Sequence, residues 1–513
     1  MTTQPATRPA DREVTIIPAG RGGVTILCAN AFLAIIVAIG LRLIFILRFP
    51  GSAVDSDLYI QLARVWSDHH IYGILLDGQI VPTDLRTPGY PAFLAGVALL
   101  FGRSMRAILL SQAILDVVTC ILTAMLAAAL APAGSRRRVW IIALWLAATC
   151  PFLANYSAVV LTETLVTFLS TAALWCFAAG LRYQPAGLNL RDESHHLSLL
   201  GYALLGAFLV GLATLVRPEM PLLLGVAALV YGLWAIRAMG IGKAVLLAAA
   251  MAGAFLVPLL PWAARNYVTL KKVQFLAPRY AVLPGEYAPV GYYAWTATWL
   301  ERYRDVYFSV WKIGEPDQPV DVNDLPPNAF DSPEEKARIA GLFAAYNDNP
   351  DLEITPEMDR QFAEIASERT RRHPLRTYLT APFERALSIW FTPRTELMDI
   401  DGKFWPLREQ WSDSRANVLI TGSFAALGYV YVALALAGVF LAWRARQAGD
   451  LTGQTIGPGL WGVTLLLVYF FVRTAFLTTV EAPEPRYILS CYPGVLALIS
   501  LLGIRKEKSE AAV

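Results

Sequence analysis

The sequence predicts an all-α polytopic membrane protein, and three observations carry that prediction. Of 513 residues, 56% are hydrophobic and only 16% charged, and the mean hydropathy is +0.47; soluble chains are less apolar and more charged. Apolar runs long enough to cross a bilayer recur along most of the chain. The basic residues gather in short polar intervals between those runs, where they report topology.

The remaining composition excludes several classes. A net charge of +3, dispersed between apolar runs, argues against a nucleic-acid partner. The five cysteines, Cys28, Cys120, Cys150, Cys176 and Cys491, lie inside apolar stretches and show neither a disulfide framework nor zinc spacing. Four of the five histidines form the pairs His69-His70 and His195-His196, with no H-x-x-x-H spacing. No cofactor is expected and no metal site is assigned, although a divalent metal stays open.

Taken in order, residues 1–23 read as a flexible cytoplasmic tail ahead of an uncleaved anchor, because the run from Val24 lacks an A-x-A-like cleavage site. The first span covers about 24–46, with Arg42 and Arg48 expected to snorkel to the interface at its outer end. A polar loop, 48–88, follows. The apolar segment 88–101 is too short to cross and reads as a surface or re-entrant helix. Spans are expected at about 106–131 and 140–156, joined by the basic loop Gly134-Ser135-Arg136-Arg137-Arg138, which is retained in the cytoplasm and sets the orientation. Further spans fall at about 158–181, 198–216, 220–236 and 244–262. Each basic interval then lands on one side, and the 48–88 loop lands outside.

Residues 265–413 turn polar, a stretch of roughly 150 residues and far longer than an ordinary loop. Ser332-Pro333-Glu334-Glu335 is a capping box with proline at the first helical position, and Thr355-Pro356 opens another helix. Leu375, Leu379, Phe383 and Leu387 recur opposite Arg376 and Arg385, the pattern of an interfacial amphipathic helix. Three last spans, about 416–442, 458–479 and 487–504, bring the total to ten with both termini cytoplasmic. The expected organisation is therefore a tail 1–23, a transmembrane module 24–264, an extracytoplasmic and mainly helical loop region 265–413, C-terminal spans 414–504 and a tail 505–513.

On this topology Asp55, Asp57, Asp84, Arg86, Glu163, Arg217, Glu219, Arg265, Arg473, Glu484 and Arg486 all fall at the outer side. Such a ring suits a reaction in which a carboxylate takes a proton from a hydroxyl while arginines hold a departing phosphate. Each residue also has a plainer reading. Asp55 and Asp57 read by spacing alone as a solvated or capped start of a helix over Leu58 to Trp66. Glu163 and Arg473, inside apolar spans, serve equally as functional groups or as buried structural hydrogen bonds. Arg217, Arg265 and Arg486 taken singly are interfacial anchors.

Six motifs occur in order: Asp55-Ser56-Asp57-Leu58-Tyr59; Arg86-Thr87-Pro88-Gly89-Tyr90-Pro91; Leu161-Thr162-Glu163-Thr164-Leu165; Leu215-Val216-Arg217-Pro218-Glu219; Pro261-Trp262-Ala263-Ala264-Arg265-Asn266; and Glu484-Pro485-Arg486-Tyr487 followed by Tyr492-Pro493. Over about 24–504 this series resembles the bacterial GT-C glycosyltransferases, in particular their protein O-mannosyltransferase-like and aminoarabinose-transferase-like branch. The chain departs from the pattern at Thr87, where a second proline is expected, and over 267–413, which has little counterpart.

The resemblance implies a GT-C type bundle of about ten transmembrane helices with juxtamembrane helices, in a bacterial inner membrane. It implies inverting transfer of a sugar from a polyprenyl-phosphate donor to a cell-envelope acceptor hydroxyl on the extracytoplasmic side. Asp55 is then the expected base and Asp57 the second catalytic candidate. Glu163 would orient a substrate, Arg265 and Arg486 would meet the donor phosphate, and Arg86, Arg217 and Arg473 complete the substrate-binding set. The alternatives are a transporter or flippase for a lipid-linked or anionic solute, since ionisable residues within spans also line permeation paths, and a scaffold that binds partners through 265–413.

Overall fold

The computed structural model describes residues 21–182, 193–280, 282, 287–314, 319–350, 352–398, 400, 402, 404–450 and 459–504. Most of the expected tail 1–23, all of 505–513 and the basic position Arg191 lie outside the described residues. The protein is an all-α polytopic membrane protein. Among the described residues nine helical stretches are long and apolar enough to cross a bilayer: Ile26–Arg48, Met105–Leu130, Glu163–Gly180, Leu197–Thr214, Pro221–Met239, Ile241–Leu270, Arg415–Arg444, Gly459–Leu477 and Pro485–Gly503.

The remaining expected span, 140–156, is divided. It consists of helix α5 (Arg136–Ala148) and the short helix α6 (Pro151–Tyr156). Pro151 has no N–H to continue α5, and Cys150 before it adopts the extended conformation that precedes proline. The break leaves carbonyls at the end of α5 in an apolar setting, where each needs a protein partner. Arg42, on helix α1 (Arg21–Arg48), supplies it. Its guanidinium donates to the carbonyls of Ala147 at 3.1 Å and Ala148 at 2.5 Å, and pairs with Asp116 at 2.8 Å. Arg42 is fully buried, so the expected snorkelling does not occur. A carboxylate and two open carbonyls outweigh the pull of the interface.

The first loop is more ordered than its polarity suggests. Helix α2 (Val54–His69) leads to a hairpin of strands β1 (Gly73–Leu76) and β2 (Gln79–Pro82), turned by Asp77-Gly78 with positive φ at both residues. Helix α3 (Gly89–Phe101) is the short apolar segment. Gly89 admits no side chain: a Cβ there would stand 2.5 Å from the Leu215 carbonyl oxygen, which accepts the Gly89 N–H at 2.6 Å.

Between α6 and helix α7 (Glu163–Gly180) runs a non-helical, fully buried segment, 157–162. Its backbone is satisfied from three directions. Gln112, on helix α4 (Met105–Leu130), donates to the carbonyls of Ser157 at 3.2 Å and Val159 at 2.7 Å. Gly51 exchanges backbone bonds with Ala158 and Val160, and the Ser56 hydroxyl donates to the Val160 carbonyl at 2.7 Å. Where the sequence suggested one span ending near 156 and the next beginning near 158, the chain instead builds a clamp on the start of α2.

Helices α8 (Glu193–Thr214) to α11 (Leu260–Leu270), with α9 (Pro221–Met239) and α10 (Ile241–Leu256) between, complete the first module. The following polar region has its own apolar core. Tyr292, Trp295, Trp299, Phe343 and Phe362 are buried together among helices α12 (Val290–Thr296), α13 (Tyr303–Phe308), α14 (Pro333–Asn347) and α15 (Pro356–Arg372). The caps are as the sequence reads: Ser332 Oγ accepts the Glu335 N–H at 3.2 Å, and Thr355 Oγ1 that of Met358 at 3.3 Å. Arg369 crosses this core, pairing with Glu335 and with Asp331 at 3.2 Å.

The expected amphipathic stretch 375–391 is a π-helical turn, Arg376–Thr380, continuing into α16 (Ala381–Phe391). Leu375, Leu379, Phe383 and Leu387 are exposed, whereas Arg385 is buried and donates to the carbonyls of Leu300 at 2.7 Å and Thr478 at 2.6 Å. An outward apolar stripe with inward polar groups suits a helix lying against lipid. Helices α17 (Leu407–Asp413), α18 (Arg415–Asp450), α19 (Gly459–Leu477) and α20 (Tyr492–Ser500) close the chain.

Candidate active site

The start of α2 meets the start of α7 because both hang from segment 157–162. Asp55 lies in the first turn of α2 and Glu163 in the first turn of α7, where a helix N-terminus favours negative charge. Arginines from four other places in the chain close on them. Arg86 comes from the loop ahead of α3, Arg217 from the turn between α8 and α9, Arg473 from α19, and Arg486 from the 3-10 turn Pro485–Cys491.

The groups form one alternating chain of charge. Arg86 donates to Asp55 Oδ1 at 3.0 Å, and Arg486 to Asp55 Oδ2 at 3.3 Å. Arg486 also faces Glu163 at 3.7 Å and Glu484 at 2.6 Å. Glu163 accepts from Arg217 at 2.9 Å, Arg217 donates to Glu219 at 2.8 Å, and Glu219 accepts from Arg473 at 3.4 Å. The tally is four carboxylates (Asp55, Glu163, Glu219, Glu484) and four guanidiniums (Arg86, Arg217, Arg473, Arg486), so the cluster is neutral.

Tyr487 braces it: its hydroxyl donates to Glu484 at 2.7 Å, its carbonyl accepts from Arg473 at 2.6 Å, and its ring lies 4.5 Å beneath the Arg217 guanidinium. The cluster runs from wet to dry. Side-chain exposure is 32% at Asp55 and Arg86, 12% at Arg486, 2% at Glu163 and zero at Arg473. A ligand from solution or from the membrane surface therefore meets Asp55 and Arg86 first.

The electrostatics follow from this arrangement. Burial alone would raise the Asp55 pKa, but Arg86 and Arg486 outweigh it and hold the carboxyl below its usual range. Glu219 is likewise depressed, with Arg217 and Arg473 overcoming its burial. Arg86 is correspondingly raised against its own burial, through Tyr59 and Asp55. Asp55 and Glu219 thus stay ionised at neutral pH.

Of the residues singled out in the sequence, Asp55, Arg86, Glu163, Arg217, Arg473 and Arg486 come together. Asp57 and Arg265 do not join them. Asp57 points outward on α2, is exposed and has no hydrogen bond or ion pair among the described residues, because two residues along a helix turn the side chain by more than half a circle. Arg265 donates to the carbonyls of Tyr72 and, at 2.8 Å, Thr83, and stacks over Tyr72 and Trp262 at 5.4 and 5.1 Å. It ties α11 to the β-hairpin.

Three carboxylates acquire importance beyond their sequence signal. Glu219 and Glu484 stand two residues from Arg217 and Arg486, a spacing that itself marks them as counter-ions. Glu396, unremarkable in sequence, accepts from the Tyr156 hydroxyl, and burial raises its carboxyl above the usual range. Among the described residues no group of three or more His, Cys, Asp or Glu side chains stands together as a metal-holding set.

No protein-family model matches the chain, and no curated protein matches it. Solved structures do. The chain is similar to the archaeal oligosaccharyltransferase AglB from Archaeoglobus fulgidus, in complex with an inhibitory peptide and a dolichol-phosphate, at 13% identity and TM-score 0.47 over 94% of this chain and 50% of that one. It is also similar to ArnT from Cupriavidus metallidurans, in the apo state at 14% identity and TM-score 0.37, over 91% of this chain and 77% of that one. ArnT bound to undecaprenyl phosphate gives 15% identity and TM-score 0.35, over 92% and 78%. Both are GT-C glycosyltransferases, the class that the ordered motifs resemble. This chain spans about half the length of the archaeal protein.

Proposed function

We propose that the protein is a membrane glycosyltransferase that moves a sugar from a polyprenyl-phosphate donor to an acceptor hydroxyl, with inversion, at the extracytoplasmic face of a bacterial inner membrane. The observation that carries this reading is the Asp55 carboxylate, accessible and held between two guanidiniums. An anionic donor phosphate competes with Asp55 for Arg86 and Arg486, and in taking them it frees a carboxylate oxygen at the place where the acceptor arrives.

The acceptor O–H then gives its proton to Asp55 while its oxygen bonds to the anomeric carbon. The bond from that carbon to the phosphate oxygen breaks, and the lipid leaves as a phosphate monoester met by the arginines. Glu163, dry and fixed by Arg217, orients Arg486 and the sugar. Membrane lipids surround the bundle, and the acceptor is a cell-envelope lipid, glycan or protein.

The test is a transfer assay with purified protein, a radiolabelled polyprenyl-phosphate sugar pool and an envelope extract as acceptor. Covalent label in the acceptor fraction, reduced about 100-fold or more in a folded Asp55→Asn variant, is expected of a general base. Lipid or ion flux in liposomes without covalent transfer would instead favour the transporter reading.

A further inference from the structure

Helix α2 lines a second site further along its length, from Ile60 to Ser67. Ile60 and Ala63 of α2, Leu94 and Ala98 of α3, and Met105 and Ile108 of α4 wall an apolar cavity of about 120 Å³. Two guanidiniums, Arg64 and Arg103, stand at its rim. The wall is mostly apolar, and its polar groups are the Ser67 hydroxyl and the two guanidiniums.

Its surroundings set the chemistry of an occupant. The cavity lies where α4 begins a membrane span, and next to it the end of α3 exposes Leu99 at 85%, Leu100 at 72% and Phe101 at 66%. Exposed apolar side chains at a span end face acyl chains. The charge there is positive: Arg64, Arg103 and Arg106 are exposed, and the acid that answers them is Asp68, bound to Arg103 at 3.0 Å. Arg64 and Arg106 make no ion pair among the described residues.

We propose that this cavity is a binding site for an anionic phospholipid, with an acyl chain between α2 and α3 and the phosphodiester on Arg64 and Arg103. Basic side chains at the membrane surface draw anionic headgroups, and a mostly apolar cavity beside them selects the lipid that brings both parts. The site is separate from the charge cluster, but α2 carries Asp55 at its other end, so an occupant that seats α2 against α3 also steadies that carboxylate.

The full chain is purified, given phosphatidylglycerol or phosphatidylcholine in equal amount, and examined by native mass spectrometry. One phosphatidylglycerol per chain should survive activation that strips phosphatidylcholine. Arg64→Ala with Arg103→Ala should weaken retention roughly 30-fold, two juxtamembrane charges being removed. Ala98→Phe, which fills the cavity and leaves both arginines, should abolish it. Equal retention of the two lipids by the unaltered chain overturns the proposal, and so does undiminished retention by either folded variant. Should a variant fail to fold, the comparison of the two lipids on the unaltered chain decides.

Discussion

Arg486 reaches Asp55 at 3.3 Å across 431 positions of chain, and on its other side the same guanidinium faces Glu163. Its removal leaves three carboxylates, those of Asp55, Glu163 and Glu484, short of their shared counter-charge. Arg486→Met is expected to destabilise the protein by about 3 kcal/mol, the scale for breaking a buried pair. Arg86→Met, at the wetter end, should cost about 1 kcal/mol or less. Thermal unfolding of the two variants in the same detergent measures the difference.

Asp57 provides the contrast to Asp55. It shares the helix but is exposed and has no partner among the described residues, so Asp57→Asn should leave both stability and transfer rate within about twofold of the parent, as exposed substitutions generally do. A loss comparable to that of Asp55→Asn in the same transfer assay would reassign the base.

The acid response follows from the depressed pKa of Asp55. Its ordinary value is 3.8, and the folded value lies lower. A depressed carboxyl contributes stability that is fully present above the ordinary value and is lost as pH falls through the folded one. Melting temperature should therefore hold between about pH 5 and 8 as far as Asp55 is concerned, and fall only below about pH 4. Asp55→Asn should flatten part of that fall. An acid limb of kcat/KM near pH 6 that disappears in Asp55→Asn would mean that the two arginines do not hold this carboxylate in the free enzyme.

Within the membrane, Asp116→Asn strands the Arg42 cation and should cost about 3–5 kcal/mol. Arg42→Met combined with Asp116→Leu removes both charges but orphans carbonyls at the end of α5, at about 1–3 kcal/mol. The double variant should thus be the more stable of the two, as read by unfolding in a mild detergent.

Much of the fold was legible because its signals are local. Length and hydropathy mark the spans, Ser332 and Thr355 mark two helix starts, and Leu375, Leu379, Phe383 and Leu387 mark one apolar helix face. The convergence of Asp55, Arg86, Glu163, Arg217, Arg473 and Arg486 was legible only through topology and motif order, which place them at one end of the bundle. What stayed hidden depends on pairing across the chain. Nothing near Arg42 announces Asp116, 74 positions away, or a helix break 106 positions away that leaves a carbonyl for it. Arg265 has the same local look as Arg486, yet finds carbonyls and aromatic rings instead of acids. Asp77-Gly78 is a local hairpin signal that the reading of 48–88 as a polar loop does not use.

The buried segment 157–162 has one more consequence. Because Gly51 and Ser56 are fastened to its peptide groups while Glu163 follows it directly, the gap between Asp55 and Glu163 is a property of the main chain and owes nothing to the guanidinium that fills it. Two anions kept at a set spacing by backbone go on attracting a cation whatever else visits. Any ligand that draws Arg486 aside leaves behind a vacancy that pulls it home, so the resting arrangement restores itself without help from a partner or a further conformational change.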